Sequence, residues 1–432
     1  MNYPNGLLFE NEFQKSLKEK FCYADVDPQY GKRLFFDNSG GSLRLKKCVE
    51  AKNNLEMFPD CPERIHERSV ILKSIVENGT KEILEIMFGA KSGALITELT
   101  ASQTMFHMVG LIMENIPGTN AVVSSIEHPS AFDAIEYYCK KTGKEMRVVP
   151  ANQTTGGIDP DSVANLVDEN TCLLSIMSAS NISGNIMDIE SIVKKSRKIK
   201  PVLYIISDAV QHAPHCVMNV EKLQIDGMNF APYKFFGVRG CGFAYVSDRV
   251  AALPHHKLIA KEQSVFELGT SAPGNFAAAM EIINYVCEIG GHFIDTSDKK
   301  ILIVDDFLAK GNALIGLQER ALLYRMLEGT DKVPGLRHIP GVTVYVDTED
   351  ITNRDLIAAI GIDEMDYTKC VAEYQKRGVT VYERINTSIY SKRIVEALGL
   401  TGAIRVSPLH CHGTDDIDLF LTITAELAKN NR

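Results

Sequence analysis

The 432-residue sequence has no tryptophan, no CxxC pair of cysteines and no excess of basic residues. With 46 Lys and Arg against 55 Asp and Glu, its formal net charge is -9, which gives no basis for binding a polyanion such as nucleic acid. The ten cysteines are scattered, as is typical of reduced thiols rather than of a disulfide framework. We therefore expect no nucleic-acid partner and no disulfide scaffold.

Long apolar runs are also missing from the sequence. Stretches such as VLYII are much too short to cross a bilayer. The first residues, MNYPNGLLFENEFQKSLKEK, have acidic and polar residues where a secretory signal has a basic end and an apolar run. These observations predict a cytoplasmic protein with no membrane partner.

What the sequence does contain is the composition of an ordinary globular protein, with 45% hydrophobic and 23% charged residues. Between about residues 70 and 290, helical patterns alternate with the short apolar runs ALITEL, NAVVSSI, TCLLSIM, PVLYIIS and GFAYVS. This alternation predicts parallel strands joined by crossover helices. We expect an α/β sandwich with its functional site at the strand ends.

The pattern changes after Gly290. A helical region continues to about Glu328 and is followed by VPGLRHIPGVTVYVDTED, which predicts a small mixed α/β unit. A chain of this length usually forms more than one domain. We predict an N-terminal segment (1–45) that contributes to the small domain and the mouth of the active site, a large cofactor-binding domain (46–290) and a small C-terminal domain (291–432).

Lys234 stands in the segment MNFAPYKFFGVRGCGFAYVS, between an apolar run and a glycine-rich turn. Its neighbours Tyr233, Phe235 and Phe236 form an apolar setting for an ammonium group. Partial burial lowers the pKa of a lysine, and the neutral amine is the form that attacks an aldehyde. The segment predicts either a reactive amine or a lysine whose alkyl stem packs at the end of a strand.

Asp208 ends the strand-like run PVLYIISD. At the carboxyl end of a central parallel strand, a carboxylate can keep a pyridinium nitrogen protonated and make the ring an electron sink. An aspartate in this place can also simply cap a helix. Asp208 alone leaves both interpretations open, but Gln211 and Lys234 follow in neighbouring strand-and-loop units.

Together these two segments resemble a known family. SDAVQHAPH followed by APYKFFGVRGCGFAYV is similar to the Asp-x-x-Gln and Lys elements of class V aminotransferases, which include cysteine desulfurases, selenocysteine lyases, kynureninases and isopenicillin N epimerase. Further segments agree in order and spacing: FFDNSGGS at 35–42, IEHPSAF at 126–132, SNISG at 180–184, FELGTSAPGN at 266–275 and AIRVSPLH at 403–410. The resemblance implies a fold type I enzyme that uses pyridoxal 5′-phosphate, with a mainly parallel sheet between helices and a smaller α/β C-terminal domain.

The resemblance also implies roles for individual residues. Lys234 would hold the cofactor as a Schiff base and then act as the proton-transferring base, Asp208 would pair with the ring nitrogen, and His128 would stack on the ring. Asn181 and Gln211 would approach the ring hydroxyl and the substrate. Taken singly, the last three residues also have plain structural interpretations, such as capping a turn or facing solvent.

A phosphate group requires backbone N–H groups, preferably at the N-terminus of a helix, together with hydroxyl donors. TASQTMFHMVGLIM fits a loop that opens an apolar helix, and Ser102, Gln103 and Thr104 resemble the family's Gly-Ala-Thr cup. The same residues could equally serve only to cap the helix. Thr270 matches the threonine that reaches the phosphate from a partner subunit in the family, which implies a homodimer with shared active sites.

Arg405 lies between the apolar residues Ile404 and Val406, which argues against a fully exposed surface ion pair. A guanidinium group can bind a carboxylate through two hydrogen bonds and so determine its orientation. By resemblance, the predicted substrate-binding residues are Arg405, Asn181 and Ser39. The predicted substrate is an α-amino acid.

The chain departs from the family at two places. Most members have a Ser-x-His-Lys run at the cofactor lysine, whereas this chain has Ala231-Pro232-Tyr233-Lys234, closer to kynureninases and to a desulfurase-like branch with a Tyr-Lys pair. We include Tyr233 among the cofactor-binding residues, although packing explains it equally well. Desulfurases also need a mobile cysteine, and the corresponding stretch RGVTVYERINTSIYSKRIVEALG contains none.

Cys370 precedes this stretch and Cys411 follows Arg405, so neither occupies the place of the desulfurase cysteine. Cys411 stands between His410 and His412, a cluster that suggests a metal site only weakly because its spacing supplies no complete ligand set. We predict no metal and interpret the cluster as part of the substrate pocket.

These residues predict an enzyme that forms an external aldimine with an α-amino acid and acts as a C–S or related lyase, similar to a desulfurase without the usual loop cysteine. A class V aminotransferase or an amino-acid epimerase is the enzymatic alternative. A catalytically silent scaffold is the alternative from another class. The substrate side chain is left open, because kinship of fold determines cofactor chemistry better than specificity.

Overall fold

A computed structural model describes residues 3–59, 61–294 and 304–431. The chain begins with short elements that precede the main sheet. In order, they are α1 (Asn11–Lys18), β1 (Val26–Asp27), β2 (Gly31–Lys32), β3 (Leu34–Phe35), α2 (Lys46–Glu56) and α3 (Glu67–Glu82), which a π-helical turn at Ile83–Met87 extends.

The middle of the chain alternates strands and helices. In order, they are β4 (Ala94–Glu98), α4 (Ala101–Asn115), β5 (Asn120–Ser124), α5 (Pro129–Thr142), β6 (Glu145–Val149), α6 (Pro160–Ala164), β7 (Thr171–Met177), α7 (Ile189–Ile199), β8 (Tyr204–Asp208), α8 (Val220–Leu223), β9 (Gly227–Phe230), β10 (Gly242–Val246), α9 (Asp248–Ala251) and α10 (Pro273–Phe293). Short 3-10 turns at Ala213–His215 and Pro232–Lys234 follow β8 and β9.

The C-terminal part returns to a smaller α/β arrangement. Its elements are α11 (Val304–Glu328), β11 (Val342–Tyr345), β12 (Ala358–Ile362), α12 (Tyr367–Lys376), β13 (Val379–Thr380), β14 (Tyr382–Ile385), α13 (Lys392–Ala397), β15 (Gly402–Val406) and α14 (Thr414–Asn430).

The large sheet has the strand order β4-β10-β9-β8-β7-β5-β6. From β6 to β9 the neighbouring strands are parallel, whereas β10 is antiparallel to both β9 and β4. The predicted fold class is therefore confirmed: a mainly parallel sheet flanked by helices. One detail needs correction, because the run GFAYVS forms the antiparallel strand β10, which a short loop after β9 allows.

The central strands explain where the site can form. Every residue of β5, β7 and β10 is buried, as expected for strands that helices cover on both faces. The parallel strands β7, β8 and β9 end at the same edge of the sheet, and the loops that follow them are therefore neighbours. In open α/β sheets this edge is where ligands bind.

The second sheet is antiparallel, with the order β11-β12-β15-β14. A separate hydrophobic core beneath it includes Leu34 and Phe36 from the N-terminal segment, and β3 pairs in parallel with β13. The contribution of the N-terminal segment to the smaller core agrees with one part of the predicted division, whereas the predicted boundary at residue 290 falls inside α10. The division at residues 45 and 290 stays a proposal. Among the described helices, none combines the length and the apolar character needed to cross a membrane.

Candidate active site

Lys234 ends the 3-10 turn that follows β9, and its side chain lines a cavity at the carboxyl edge of the large sheet. Burial lowers the pKa of Lys234 to about 7, and the positive charge of Arg405 adds to this effect. The carboxylate of Asp208 acts in the opposite direction. A large share of the Lys234 amine is therefore uncharged near neutral pH, as nucleophilic attack on a carbonyl requires.

Phe236, two residues after Lys234, holds the turn in a strained conformation. Its φ angle of 62° lies in the left-handed region, which costs a non-glycine residue about 1–2 kcal/mol. The buried ring packs edge-on against Tyr285 and His410, and the Phe236 N–H donates to Ser42 Oγ at 3.0 Å. These contacts maintain the turn that presents Lys234 to the cavity.

Asp208, the last residue of β8, lines the same cavity. Burial raises the pKa of its carboxyl group. The N–H of Val210, which donates to Asp208 Oδ1 at 3.0 Å, and the charge of Lys234 both act to lower this pKa. Asp208 is thus an enclosed carboxylate with one oxygen held by the backbone.

Glu127 is a second buried carboxyl group close to Asp208, and the sequence interpretation did not include it. Burial raises the pKa of Glu127 to about 8, and the charge of Asp208 contributes to the rise. Its Oε1 accepts hydrogen bonds from Ser124 Oγ at 2.6 Å and from the N–H of Met177 at 2.8 Å. Because Glu127 is mainly protonated at neutral pH, Asp208 can be the charged member of this pair.

His128 precedes α5 and caps its N-terminus. Nδ1 accepts a hydrogen bond from the N–H of Ser130 at 3.2 Å and lies 2.7 Å from Ser130 Oγ. Burial lowers the pKa of His128 to about 3, with contributions from the charges of Lys234 and Arg384. The ring is therefore neutral, and because Nδ1 accepts, its proton is on Nε2.

Two buried side-chain amides contribute oxygen atoms to the wall of the cavity. Asn181 and Gln211 both line it, and within the described ranges neither Asn181 Oδ1 nor Gln211 Oε1 has a hydrogen-bond donor. Gln211 Nε2 donates to Ser39 Oγ at 3.3 Å, which places buried Ser39 beside the cavity. An unsatisfied buried polar atom costs about 1–3 kcal/mol, so these oxygens are positions that a bound ligand would satisfy.

Arg405 lies on β15 and is only 2% exposed. Its Nη2 forms an ion pair with Asp37 Oδ1 at 2.7 Å, and its Nη1 donates to the carbonyl oxygen of Asn181 at 3.2 Å. A Cβ atom at Gly40 would lie 2.7 Å from Asp37 Oδ2 and 3.1 Å from Arg405 Nη2, so this approach requires glycine. The FFDNSGGS segment thus contributes Asp37 as the counter-ion of Arg405, and Gly40 leaves the space in which the two side chains meet.

Arg384 is a second buried guanidinium group that the sequence interpretation missed. It lies on β14, which pairs with β15, and its Nη2 donates to the carbonyl oxygen of Tyr390 at 3.2 Å. Burial and then the charge of Arg405 lower the pKa of Arg384 to about 10, and its charge also helps to lower the pKa of Lys234. Its position in the apolar strand VYERI is the only sequence signal that could have indicated it.

The N-terminus of α4 reaches the cavity through Thr100, Ala101 and Ser102. Thr100 caps the helix by accepting a hydrogen bond from the N–H of Gln103 at 3.2 Å. The structure does not bring Gln103 and Thr104 to the cavity: the first is exposed, and the second is buried with its hydroxyl donating to Ala101 at 2.8 Å. The reason is that α4 already begins at Ala101, so the candidate anion site lies one half-turn earlier than predicted.

Tyr233 lines the cavity with Arg239 stacked on it. The Arg239 guanidinium group lies 4.2 Å from the centre of the Tyr233 ring, a cation–π contact. A Cβ atom at Gly41 would lie 3.0 Å from Arg239 Nη2. The Tyr233 ring therefore helps to hold the positively charged Arg239 side chain at the edge of the cavity.

Thr270 lies outside the cavity of this chain. It is exposed, and its hydrogen bond to Glu63 helps to lower the pKa of that carboxyl group. Its predicted contact with the phosphate requires a second copy of the chain and stays a prediction.

The cavity has a volume of about 190 Å³. Predicted site residues that line it come from five separate segments: Ser102, His128, Asn181, Asp208, Gln211, Tyr233 and Lys234. The structure therefore brings together at one sheet edge a lysine of lowered pKa, a carboxylate, a neutral imidazole and the start of a helix. Ser39 and Arg405 are adjacent to this group.

The remaining candidate residues are not in the cavity. Cys370 and Cys411 are buried, and burial raises the pKa of both thiols, for Cys370 to about 12. His410 and His412 are also buried, and His410 Nε2 pairs with Tyr285 Oη at 2.7 Å. In the part of the chain that the structure describes, no group of three or more His, Cys, Asp and Glu side chains is arranged to hold a metal ion.

A known family model matches the central part of the chain. The family model described as Aminotransferase class-V matches residues 34–303, which is more than half of the chain. The matched range contains Lys234, Asp208, His128, Asn181 and Gln211 but ends before Arg405.

Similar curated proteins include the probable cysteine desulfurase of Mycoplasma genitalium, 27% identical over 221 residues, and Cysteine desulfurase IscS of Dictyoglomus turgidum, 28% identical over 219 residues. Each alignment covers 50% of this chain, with 53% of the first relative and 54% of the second. The chain thus spans about half the length of the curated relatives it matches.

Similar solved structures cover nearly the whole chain. The apo structure of Cysteine Desulfurase from Thermococcus onnurineus NA1 has a TM-score of 0.75 at 20% identity and covers 92% of this chain and 95% of that chain. The cysteine desulfurase CsdA from Escherichia coli has a TM-score of 0.75 at 15% identity and covers 98% of this chain and 99% of that chain. Similarity at this level of identity shows a shared fold.

Proposed function

The chain belongs to the aminotransferase class-V family, and on this premise we propose that it acts on an α-amino acid as a C–S or related lyase. The observation that carries the proposal is the single cavity lined by Lys234, Asp208 and His128, with Arg405 beside it. Pyridoxal 5′-phosphate is the cofactor of this family.

The residues present fit this cofactor. A bound ligand would satisfy the unpaired side-chain oxygens of Asn181 and Gln211. It would also accept hydrogen bonds from the first N–H groups of α4. Lys234 would attach the cofactor, Asp208 would hold its ring nitrogen and His128 would cover the ring. The phosphate would be held by the N-terminal residues of α4: Thr100, Ala101 and Ser102.

When bound, the cofactor supplies an electron sink for the electron pair left by the broken bond. Lys234 holds or moves the proton at Nζ, and its pKa of about 7 allows both directions near neutral pH. Asp208 would hold the ring nitrogen, and the charge of Lys234 and the N–H of Val210 both act to lower the pKa of its carboxyl group against the effect of burial.

Arg405 would bind the carboxylate group of the substrate. Its Nε has no partner within the described ranges, and its ion pair with Asp37 can be exchanged for a carboxylate of the substrate. Arg384, on the strand that pairs with β15, supplies a second positive charge close enough to lower the pKa of Lys234. These charges orient an anionic substrate group relative to Lys234.

The absence of a cysteine from the stretch 377–399 supports lyase chemistry over transfer of sulfur to an enzyme thiol. The cysteines on either side, Cys370 and Cys411, are buried and do not line the cavity. A C–S bond can then be broken with release of the sulfur group into solution. This assignment separates the chain from the named desulfurases to which it is similar.

We further propose a cytoplasmic homodimer. All ten cysteines are unbridged, as in a reducing compartment, and Thr270 is exposed and available to a second copy. Analytical ultracentrifugation tests the dimer, and a monomer would contradict the shared active site.

The function is tested with purified protein and a panel of amino acids. The protein should be yellow, borohydride should attach the cofactor to Lys234, and one or more amino acids should change its absorption and release a keto acid and ammonia. Accumulation of the amine form of the cofactor would indicate an aminotransferase, and loss of the α-hydrogen without bond cleavage would indicate an epimerase. A colourless protein that cannot be reconstituted would contradict the proposal and favour the scaffold.

A further inference from the structure

Three side chains that carry charge line the cavity of the candidate active site: Asp208, Lys234 and Arg239. Lys234 is assigned to the aldehyde of the cofactor and Asp208 to its ring nitrogen. The phosphate group of pyridoxal 5′-phosphate carries about 1.5–2 negative charges at neutral pH. Among the described residues that line the cavity, Arg239 is the cation left to balance that charge.

The loop that carries Arg239 runs against the start of α4. Arg239 lies shortly before Gly242, the first residue of β10. A Cβ atom at Gly242 would overlap the backbone nitrogen of Ala101, the first residue of α4, so the two segments pass each other closely. The first N–H groups of a helix have no partner within the helix and can donate to an anion. Arg239 and these N–H groups therefore belong to neighbouring parts of one cavity wall.

Arg239 is exposed at the rim of the cavity, where an aromatic ring holds its side chain. The guanidinium carbon lies 4.2 Å from the centre of the Tyr233 ring. Lys52 Nζ donates to the carbonyl oxygen of Arg239 at 3.4 Å, which connects its backbone to α2. A guanidinium group stacked on a ring keeps the N–H groups at its edge available to an anion. The contact with Tyr233 thus orients a cation without neutralising it.

Arg239 also has no carboxylate partner in the described part of the chain, and neither has half-buried Arg44. Arg405, in contrast, is paired with Asp37. Burial and then the charge of Arg239 lower the pKa of Arg44, as expected for two guanidinium groups that are close together. Like charges disfavour each other's charged forms, and a bound anion would offset this repulsion.

A second cavity, of about 380 Å³, lies beside the first and shows the opposite arrangement. Successive residues of the chain divide between the two: Asp208 lines the first, whereas Ala209 and His212 line the second. The lysine that lines the second cavity, Lys222, is paired with Glu190 at 2.6 Å. A cation that is already paired attracts a further anion weakly. The unpaired guanidinium group therefore makes the first cavity the better place for a phosphate.

We propose that Arg239, held on the ring of Tyr233, binds the phosphate group of pyridoxal 5′-phosphate and supplies its counter-charge beside the first N–H groups of α4. The proposal rests on the assignment of this cofactor to the cavity. A guanidinium group can donate two parallel hydrogen bonds to one phosphate. Arg239 then determines the affinity for the phosphate, whereas Lys234 and Asp208 act on the aldehyde and the ring.

The test compares pyridoxal 5′-phosphate with pyridoxal, which lacks the phosphate group. Both aldehydes are titrated into apo-protein prepared from the full-length holoenzyme, and their dissociation constants are measured from the absorption of the bound aldehyde. In Arg239→Gln, the dissociation constant of pyridoxal 5′-phosphate should rise by about 10-fold or more, and that of pyridoxal should change by less than about 2-fold. Added inorganic phosphate should weaken the binding of pyridoxal 5′-phosphate to the native protein more than to this variant.

Arg68→Gln is the matched control. Arg68 is also exposed, and its guanidinium group lies 3.8 Å from the centre of the Phe58 ring, but neither residue lines the cavity. This variant should keep both native dissociation constants. Tyr233→Phe, which retains the ring, should keep the native preference for pyridoxal 5′-phosphate over pyridoxal. Tyr233→Leu should lower that preference by about 2-fold to 5-fold, because the guanidinium group loses its support.

An unchanged dissociation constant of pyridoxal 5′-phosphate in Arg239→Gln would overturn the proposal. An equal loss of affinity for both aldehydes would also overturn it, because the phosphate would then play no part. A raised KM for the amino acid at native cofactor affinity would assign Arg239 to the substrate instead. If the native protein bound neither aldehyde, the proposed function itself would fail, so the two failures are distinguishable.

Discussion

Two cavities lie at the ends of β7 and β8, and the pKa values of their ionisable groups are shifted in opposite directions. In the first cavity, burial favours the uncharged forms of Lys234 and His128 and lowers their pKa values to about 7 and about 3. In the second, His212 keeps its proton, because Asp355 and Cys216 raise its pKa well above the ordinary value.

The difference between the two cavities lies in the nearest charge. His128 and His212 are both enclosed, and for both of them burial is the largest effect. His128 faces the positive charges of Lys234 and Arg384, whereas His212 has a carboxylate at 3.0 Å. Burial alone therefore does not determine the charge state of a histidine, and the sign of the neighbouring charge does.

The largest effect should come from Lys234→Ala, which removes the reactive amine of the first cavity. We expect kcat with the best amino acid of the panel to fall by about 10²–10⁴-fold, the usual contribution of a positioned acid–base group. Borohydride should no longer attach the cofactor covalently. Lys81→Ala, at an exposed lysine that pairs with Glu85, is the control and should behave as the native protein. Retention of covalent attachment in Lys234→Ala would contradict the assignment.

Arg405→Gln should affect substrate binding next most strongly. Loss of one partner of a buried charge pair costs about 2–5 kcal/mol, so KM should rise by at least about 30-fold. The change also removes a positive neighbour of Lys234 and leaves Asp37 unpaired, so the pKa of Lys234 should rise above about 7. The rate of cofactor uptake by apo-protein should then reach its plateau at higher pH. An unchanged KM and an unchanged pH profile would remove Arg405 from the substrate site.

Asp355→Asn tests, through stability, the charged pair that Asp355 forms with His212 of the second cavity. Replacing a charged hydrogen-bond acceptor should lower the free energy of unfolding by about 2 kcal/mol at pH 6. The folded-state pKa of His212 is raised, so the stabilisation is fully present below the unfolded value of 6.5 and is lost as pH rises through the folded pKa. Urea unfolding should show a smaller difference between the variant and the native protein at pH 9 than at pH 6. A difference independent of pH would contradict the charged pair.

His128→Phe should produce the smallest change. The neutral ring at this position can cover the cofactor by stacking, which is worth about 0.5–1.5 kcal/mol, and phenylalanine retains most of that contact. We expect a loss of kcat of less than about 10-fold and no change in the pH profile between pH 5 and pH 8, because the pKa of His128 is about 3. A new ionisation in the profile of the variant would show that His128 does more than stack.

The sequence was sufficient to predict residues that follow strands directly. Asp208 and Lys234 each end or follow an apolar run, and parallel strands bring such ends together at one edge. Arg384, Asp37 and Glu127 were missed because their importance depends on contacts between segments far apart in the chain. The strand β14 brings Arg384 to β15, and only the folded loop at Gly40 brings Asp37 to Arg405.

The phosphate cup shows a different limit of sequence interpretation. The segment TASQTMFHM was located correctly as the start of a helix, but two of the three residues assigned to the phosphate, Gln103 and Thr104, do not line the cavity. The residues at the cavity lie two positions earlier in the chain than expected: Thr100 and Ser102 line it, whereas Thr104 is buried in the core. Boundaries of this kind depend on capping contacts that periodicity does not reveal.

By itself, the sequence determined the fold class, the alternation of strands and helices, and the family, because hydrophobic periodicity and ordered motifs are properties of neighbouring residues. Tertiary structure decided which charges meet. It placed Arg405 and Arg384 near Lys234, which lowers the pKa of the amine, and Asp355 near His212, which raises the pKa of the imidazole. The strength of a charge interaction depends on distance and burial in space, and neither follows from separation along the chain.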